Sequence, residues 1–256
     1  MVFGIERSLI ISFGCVAKLQ SCCWLGAVSH IWTMSKTWFH VALLSLLLFH
    51  STAQSSVHSA DPRCTSAATS TTILVMYDSK TNHTKQLALA LSKGITVGGS
   101  SVQMFHVQSA DAPQYVDVAK VHGLAIGSPT YFGNPSAATL SWIANSLGDG
   151  WTNRIFADVP GAVFATGGGY HQGTEHVLSS LTRGLLNFGY RMVTPNVEVS
   201  GYFGSFGASA VTGTPPYFID AAPVDEGFIE ATTAFGTKMA KAVQQEWHFR
   251  CDNTTR

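Results

Sequence analysis

From residue 71 onward the chain alternates short, continuous apolar runs with longer stretches whose apolar positions recur every three or four residues. Residues 72–77, Thr-Ile-Leu-Val-Met-Tyr, are β-prone throughout, as a parallel strand covered on both faces requires. Residues 80–95 then place Thr84, Leu87, Ala88, Leu91 and Ile95 at helical spacing. The unit repeats: strand 102–107, a short helical or irregular stretch at 116–120, strand 123–127, and a helix over 135–146 with Pro135 at its first position. Strand 161–166, helix 174–188, strand 191–199, a Gly- and Ser-rich loop over 201–216 and a last helix over 225–246 follow. Five strands alternating with helices predict an α/β domain with three layers, built on one doubly wound parallel sheet.

Such sheets bind ligands outside the carboxyl ends of their strands, which singles out the loops at 78–84, 128–134 and 166–174. In the second of these, Gly127-Ser128-Pro129-Thr130-Tyr131-Phe132-Gly133-Asn134, a buried strand empties into a Pro, aromatic and Gly turn ahead of a helix, a setting for a flat ligand. The first, Ser79-Lys80-Thr81-Asn82-His83-Thr84, brings hydroxyls and backbone N–H groups to a positive helix end and suits a phosphate, although an ordinary helix cap uses the same residue types. The third, Thr166-Gly167-Gly168-Gly169-Tyr170-His171-Gln172-Gly173-Thr174, offers backbone that can approach a ligand closely. No G-x-G-x-x-G follows the first strand and no G-x-x-x-x-G-K-[ST] occurs, so a mononucleotide fits better than a dinucleotide or a P-loop triphosphate.

Composition narrows the class further. With 46% apolar and 12% charged residues the chain is globular, and equal numbers of basic and acidic residues, 15 each, leave no electrostatic footprint for nucleic acid. Small molecules are the expected partners. His83, His171 and His176 read as polar groups at loop rims, and Asp149, Asp158 and Glu175 show no paired-carboxylate spacing, so no side chain is assigned as catalytic acid or base. Of five cysteines, Cys15, Cys22 and Cys23 lie in the amino-terminal region, and Cys22-Cys23 has no companion ligands at metal spacing, so no metal site is expected.

Residues 1–53 read as an amino-terminal extension plus signal peptide, with Met34 as a candidate start. The apolar run 38–49 falls short of the ~20 residues that span a bilayer and is followed by Ser51-Thr52-Ala53, so cleavage is expected before Gln54. The expected location is therefore the secretory lumen or outside the cell, with membrane anchoring by the amino-terminal segment as the alternative. Residues 54–70 form a Ser, Thr and Ala lead-in, residues 71–246 the domain, and residues 247–256 a polar tail.

The loops carry a family resemblance. Ser79-x-Thr81-Asn82-x-Thr84 resembles the flavodoxin phosphate loop with Asn for Gly, and Gly127-x-Pro129-Thr130-x-Phe132-Gly133-Asn134 resembles the signature of the WrbA-type NAD(P)H:quinone oxidoreductases. Thr166-Gly167-Gly168-Gly169 and Gly213-Thr214-Pro215-Pro216-Tyr217 extend the similarity. The resemblance implies a flavodoxin-like fold with strand order 2-1-3-4-5, FMN as cofactor, NAD(P)H as electron donor, a quinone as acceptor, and a homo-oligomer (dimer or tetramer) with 201–216 as contact loop. Ser79, Thr81, Asn82, His83 and Thr84 would hold the FMN phosphate. Pro129, Thr130, Tyr131, Phe132, Gly133 and Asn134 would border the flavin ring, with Trp151 near it and Thr166, Gly167 and Gly168 closing its far side. The flavin would carry the redox chemistry.

Several features depart from that pattern. Asn82 stands at the phosphate-loop Gly and tolerates left-handed backbone; Tyr131 stands where the family often has Arg, and Phe188 where it commonly has His. Asn82-His83-Thr84 and Asn253-Thr254-Thr255 are N-glycosylation sequons, and a glycan on Asn82 would occupy the phosphate cradle. These features leave a second reading, a secreted flavodoxin-like binding or structural module without catalysis. In the flavodoxin-like fold the first strand starts, and the last helix ends, at the edge away from the ligand; Cys64 and Cys251 flank these elements, and a disulfide between them is expected.

Overall fold

The computed structural model describes residue 64 and residues 70–169, 172–195, 206–212 and 223–253, without the side chains of 252 and 253. The expectations for residues 1–53, for Tyr170 and His171, and for the Gly213–Tyr217 motif lie outside these residues. Among the described residues, seven strands, β1 (Thr72–Tyr77), β2 (Ser101–His106), β3 (Gly123–Tyr131), β4 (Asn134–Pro135), β5 (Pro160–Gly167), β6 (Arg191–Met192) and β7 (Ala208–Val211), are interspersed with helices α1 (His83–Val97), α2 (Ala137–Trp151), α3 (Thr174–Asn187) and α4 (Glu226–Asn253). The parallel sheet runs β2-β1-β3-β5, and its last position is shared by β6 and β7. With β5 as the fourth strand, this is the doubly wound order that the family resemblance implies.

Several boundaries differ from the sequence reading. The expected strand 191–199 stops as a ladder after Met192, because Pro195 has no N–H to donate. The chain rejoins β5 as β7, inside what was read as a loop; there Gly207 lies so close to the Val163 carbonyl that a Cβ would overlap it. Pro135 is not the first helical residue: it pairs with Thr130 in β4, and Ser136 caps α2 by accepting the Thr139 N–H at 3.1 Å. β3 runs on to Tyr131, and α4 runs to Asn253 rather than Glu246.

The alternation of side chains along β1 sends Ile73, Val75 and Tyr77 to one face and Leu74 and Met76 to the other. The first face packs under α1 and α4 with Leu87, Leu91, Ile95, Phe235 and Met239; the second packs under α2 and α3 with Trp142, Leu147, Leu178 and Leu185. Parallel βαβ units of this kind place helix starts and strand ends at one edge of the sheet.

The opposite edge is tied down. Arg250 Nε donates to Glu246 Oε1 at 2.7 Å and its Nη2 to the Ala157 carbonyl at 3.0 Å, while Arg191 Nη2 lies 3.0 Å from Glu246 Oε2. Next to this network the expected Cys64–Cys251 disulfide is formed, with Cα atoms 5.4 Å apart.

His122 sits at the same edge, 8% exposed, accepting the Thr72 N–H on Nδ1 at 2.9 Å with its ring perpendicular to that of Trp247. A ring nitrogen that accepts an N–H is unprotonated, and burial pushes the imidazole below the usual histidine range. Because the folded pKa lies below the unfolded one, the contribution of His122 to stability is complete above pH ~6.5 and declines as pH falls toward the folded value. His122→Asn keeps an acceptor and removes the titration. Urea midpoints measured between pH 7.5 and 5 are expected to fall less for this variant than for the parent protein; parallel curves would refute the assignment.

Candidate functional site

The loop after β1 begins with Asp78, whose N–H continues the sheet ladder to the Gly127 carbonyl at 3.1 Å. Asn82 then takes the left-handed conformation, φ 67° and ψ −2°, at the start of α1, which is the backbone that the resemblance requires at this position. Its side chain makes no capping hydrogen bond, and the first turn of α1 contains no acidic residue. Ser79 Oγ accepts the Lys85 N–H at 3.2 Å, which curls the loop over the helix start. Thr81 Oγ1 lies 2.9 Å from His83 Nδ1, and the His83 ring is buried at the start of α1.

The expected loop 128–134 is a hairpin. Tyr131 pairs with Asn134 across Phe132 and Gly133, whose φ values of 51° and 78° are both positive, as a type I′ turn demands. Asn134 Nδ2 donates to the Phe132 carbonyl at 3.0 Å, and the Phe132 side chain is wholly exposed. The base of the hairpin is clamped by buried Ser128, whose Oγ accepts the Ser136 N–H at 2.8 Å. Its tip rests on the start of α3: Gly173, at φ 95°, is so near that a Cβ there would come 2.6 Å from Gly133 Cα.

The end of β5 joins the other two loops. Thr166 Oγ1 meets Thr84 Oγ1 at 2.8 Å in a buried bond that links the third loop to α1. The Gly167 carbonyl accepts both the N–H and the hydroxyl of Thr212, at 2.9 and 3.1 Å, and a Cβ on Gly167 would overlap the Thr174 hydroxyl. Gly168 is exposed beyond it. Ser79, Thr81, Asn82, His83, Thr84, Pro129, Thr130, Tyr131, Phe132, Gly133, Asn134, Thr166, Gly167 and Gly168 therefore gather at one edge of the sheet.

Trp151 does not join them. It ends α2, about 22 Å of helix away from the capped start, and its Nε1 donates to the Asn187 carbonyl at the end of α3. Phe188 caps the same end of α3 and packs edge-on against Phe156, so its difference from the family His leaves the crevice untouched within one chain.

One pair at the site has no local sequence motif. Asp78 is buried, with Oδ1 3.2 Å from His106 Nε2. Both ring nitrogens of His106 also face backbone N–H groups, Nδ1 that of Gln108 at 3.2 Å and Nε2 that of Ser79 at 3.3 Å, so the ring ties the phosphate loop to the end of β2. The only signal is the β1–β2 register, which sets Tyr77 beside His106. Tyr131 belongs to the same neighbourhood: burial, and then the charge of Asp78, push its phenol above the usual range. Among the described residues no cluster of His, Cys, Asp and Glu suits a metal ion.

A five-position parallel sheet with a Ser/Thr loop, an aromatic hairpin and a Gly loop at its carboxyl edge defines a flavodoxin-like protein. No model of a known protein family matches the chain. A flavodoxin of Aquifex aeolicus is 31% identical over 147 residues, covering 56% of this chain and 75% of that protein. An NAD(P)H dehydrogenase (quinone) of Afipia carboxidovorans is 27% identical over 164 residues, covering 57% and 80%. Among solved structures, a WrbA-like flavodoxin from Agrobacterium tumefaciens superposes with a TM-score of 0.53 at 19% identity, over 69% of this chain and 99% of that one. The chain belongs to the flavodoxin-like family that includes the WrbA-type proteins.

Proposed function

We propose that the chain is an FMN-dependent oxidoreductase that moves two electrons from NAD(P)H to a quinone. The observation that carries the reading is the convergence of the three loops, with Asn82 in the left-handed backbone that shapes an anion cradle and the 127–134 hairpin beside it. Relatives named NAD(P)H dehydrogenase (quinone) support the chemistry.

The residues fit FMN. An α1 start without acidic residues or a side-chain cap accepts a phosphate through backbone N–H groups and the helix dipole. Gly167 lets the Thr174 hydroxyl at the start of α3 pack directly on the backbone of the third loop, and Gly133 and Asn134 present turn backbone at the crevice. When bound, FMN supplies two-electron transfer between nicotinamide and quinone. The protein's part is positional. Ser79, Thr81 and Asn82 hold the phosphate; Thr84 and Thr166 lock α1 to the Gly loop; Pro129, Tyr131 and Phe132 border the ring and shield it from water. His106 Nε2 lies 3.2 Å from Asp78 Oδ1, which gives that buried carboxylate a partner beside the phosphate loop.

The full chain, purified and mixed with FMN, is expected to retain a bound-flavin visible spectrum through gel filtration. NADPH or NADH should bleach that spectrum, and a benzoquinone should restore it. Flavin uptake without bleaching would reject the oxidoreductase reading; no uptake would favour the non-catalytic module.

A further inference from the structure

We propose that Asn82 is an N-glycan acceptor and that a sugar at this position closes the phosphate end of the crevice, so that the glycosylated chain carries no FMN. The blocking half rests on the cofactor reading above; the acceptor half does not. Asn82-His83-Thr84 meets the sequon rule, and the Asn82 side chain is exposed and makes no cap bond, so the loop can fold with Nδ2 substituted. Asn is among the residues that tolerate the left-handed backbone found here, so the acceptor does not strain the loop that presents it. The Cys64–Cys251 disulfide requires an oxidising compartment, and in a secretory pathway N-glycosyl transfer takes place in that same compartment.

The structure also fixes the order of events. Thr84, the third residue of the sequon, is 2% exposed in the folded chain, with its hydroxyl held by Thr166. A transferase must therefore read the sequon before β5 closes over α1, and occupancy is set once per molecule instead of being switched reversibly. In the transfer Asn82 Nδ2 bonds to C1 of the sugar of a polyprenyl-diphosphate-linked oligosaccharide. The C1–O bond breaks, its electron pair leaves with the lipid diphosphate, and one amide proton passes to a base of the transferase.

Because Asn82 is itself part of the loop that would hold the phosphate, its first sugar stands at the mouth of the cradle. Two populations follow: an unglycosylated chain competent for FMN, and a glycosylated chain with the same fold and a covered cradle.

The test compares the full chain secreted from eukaryotic cells, the same chain secreted from cells in which assembly of the lipid-linked oligosaccharide is inhibited, and the full chain made in the bacterial periplasm, which oxidises disulfides without this transfer. Glycopeptide mass spectrometry is expected to find a glycan on the Asn82 peptide. Equilibrium dialysis is expected to give at least tenfold less bound FMN for that glycosylated fraction than for the other two proteins. An unmodified Asn82 peptide, or a glycan on Asn253 alone, overturns the acceptor assignment. Equal FMN uptake by the glycosylated fraction overturns the blocking assignment. If the periplasmic chain takes up no FMN, the cofactor reading and the blocking claim both fall, while the glycopeptide mass still decides the acceptor.

Discussion

Replacing Cys251 with Ser is expected to lower the unfolding free energy by about 3 to 5 kcal/mol and the melting temperature by about 10 °C. The bond joins residues 187 positions apart, so it encloses nearly the whole domain, and the chain-entropy model assigns its largest gains to such long loops. Its native partners are also well placed: Arg250 and Glu246, just before Cys251, already hold the end of α4 to Ala157 and Arg191. That network is expected to keep the variant folded at room temperature. Thermal unfolding of the parent and of Cys251→Ser, each with and without reductant, makes the check. The reduced parent should melt with the variant, and the variant should ignore the reductant. Coincident melting of the oxidised parent and the variant would sink the idea.

The sheet was legible because its central strands are covered on both faces. Residues 72–77 and 123–127 could be placed from apolar continuity alone, and β1 and the start of β3 match them. The extension of β3 into a hairpin was less legible: Gly133 announced a turn, but Phe132 at positive φ is a residue that sequence rules place elsewhere. Ser136, three residues before Thr139, was the better cap signal, and Pro135 drew attention from it. Pro195 carried the warning that the fifth strand would break, while Gly207 and the small residues of β7 masked the place where pairing resumes. At the site, local motifs named three loops that the fold brings to one edge of the sheet. The Asp78–His106 pair joins residues 28 positions apart and exists only through strand register, so no local pattern displays it. Trp151 shows the opposite case: resemblance places it near the ring, whereas within one chain the length of α2 carries it to the other edge of the sheet.

One substitution made in two helices is expected to have opposite effects. Gly94→Ala in α1 should destabilise the protein by about 2 to 3 kcal/mol, whereas Gly184→Ala in α3 should stabilise it by roughly 0.5 to 1 kcal/mol. Helix propensity favours Ala in both, so the difference is one of packing. At Gly94 a Cβ would overlap the Thr233 carbonyl of α4, and the Gly94 carbonyl also accepts the Thr237 hydroxyl at 3.1 Å. Gly98 and Gly236 repeat the close approach, the first with a Cβ position 2.6 Å from that of Ala240, so α1 cannot back away at one point without opening the whole contact. Around Gly184 an added Cβ meets nothing within 4 Å. The consequence reaches the crevice, because α1 carries Asn82 at its start and Thr84 in its first turn. A helix pushed off α4 at Gly94 therefore misplaces the anion cradle, and FMN affinity should fall with stability in Gly94→Ala while Gly184→Ala leaves it unchanged. Urea denaturation and flavin titration of the two variants decide the matter: a stabilised Gly94→Ala would show that the helices can separate without cost, and the coupling of this packing to the site would fail with it.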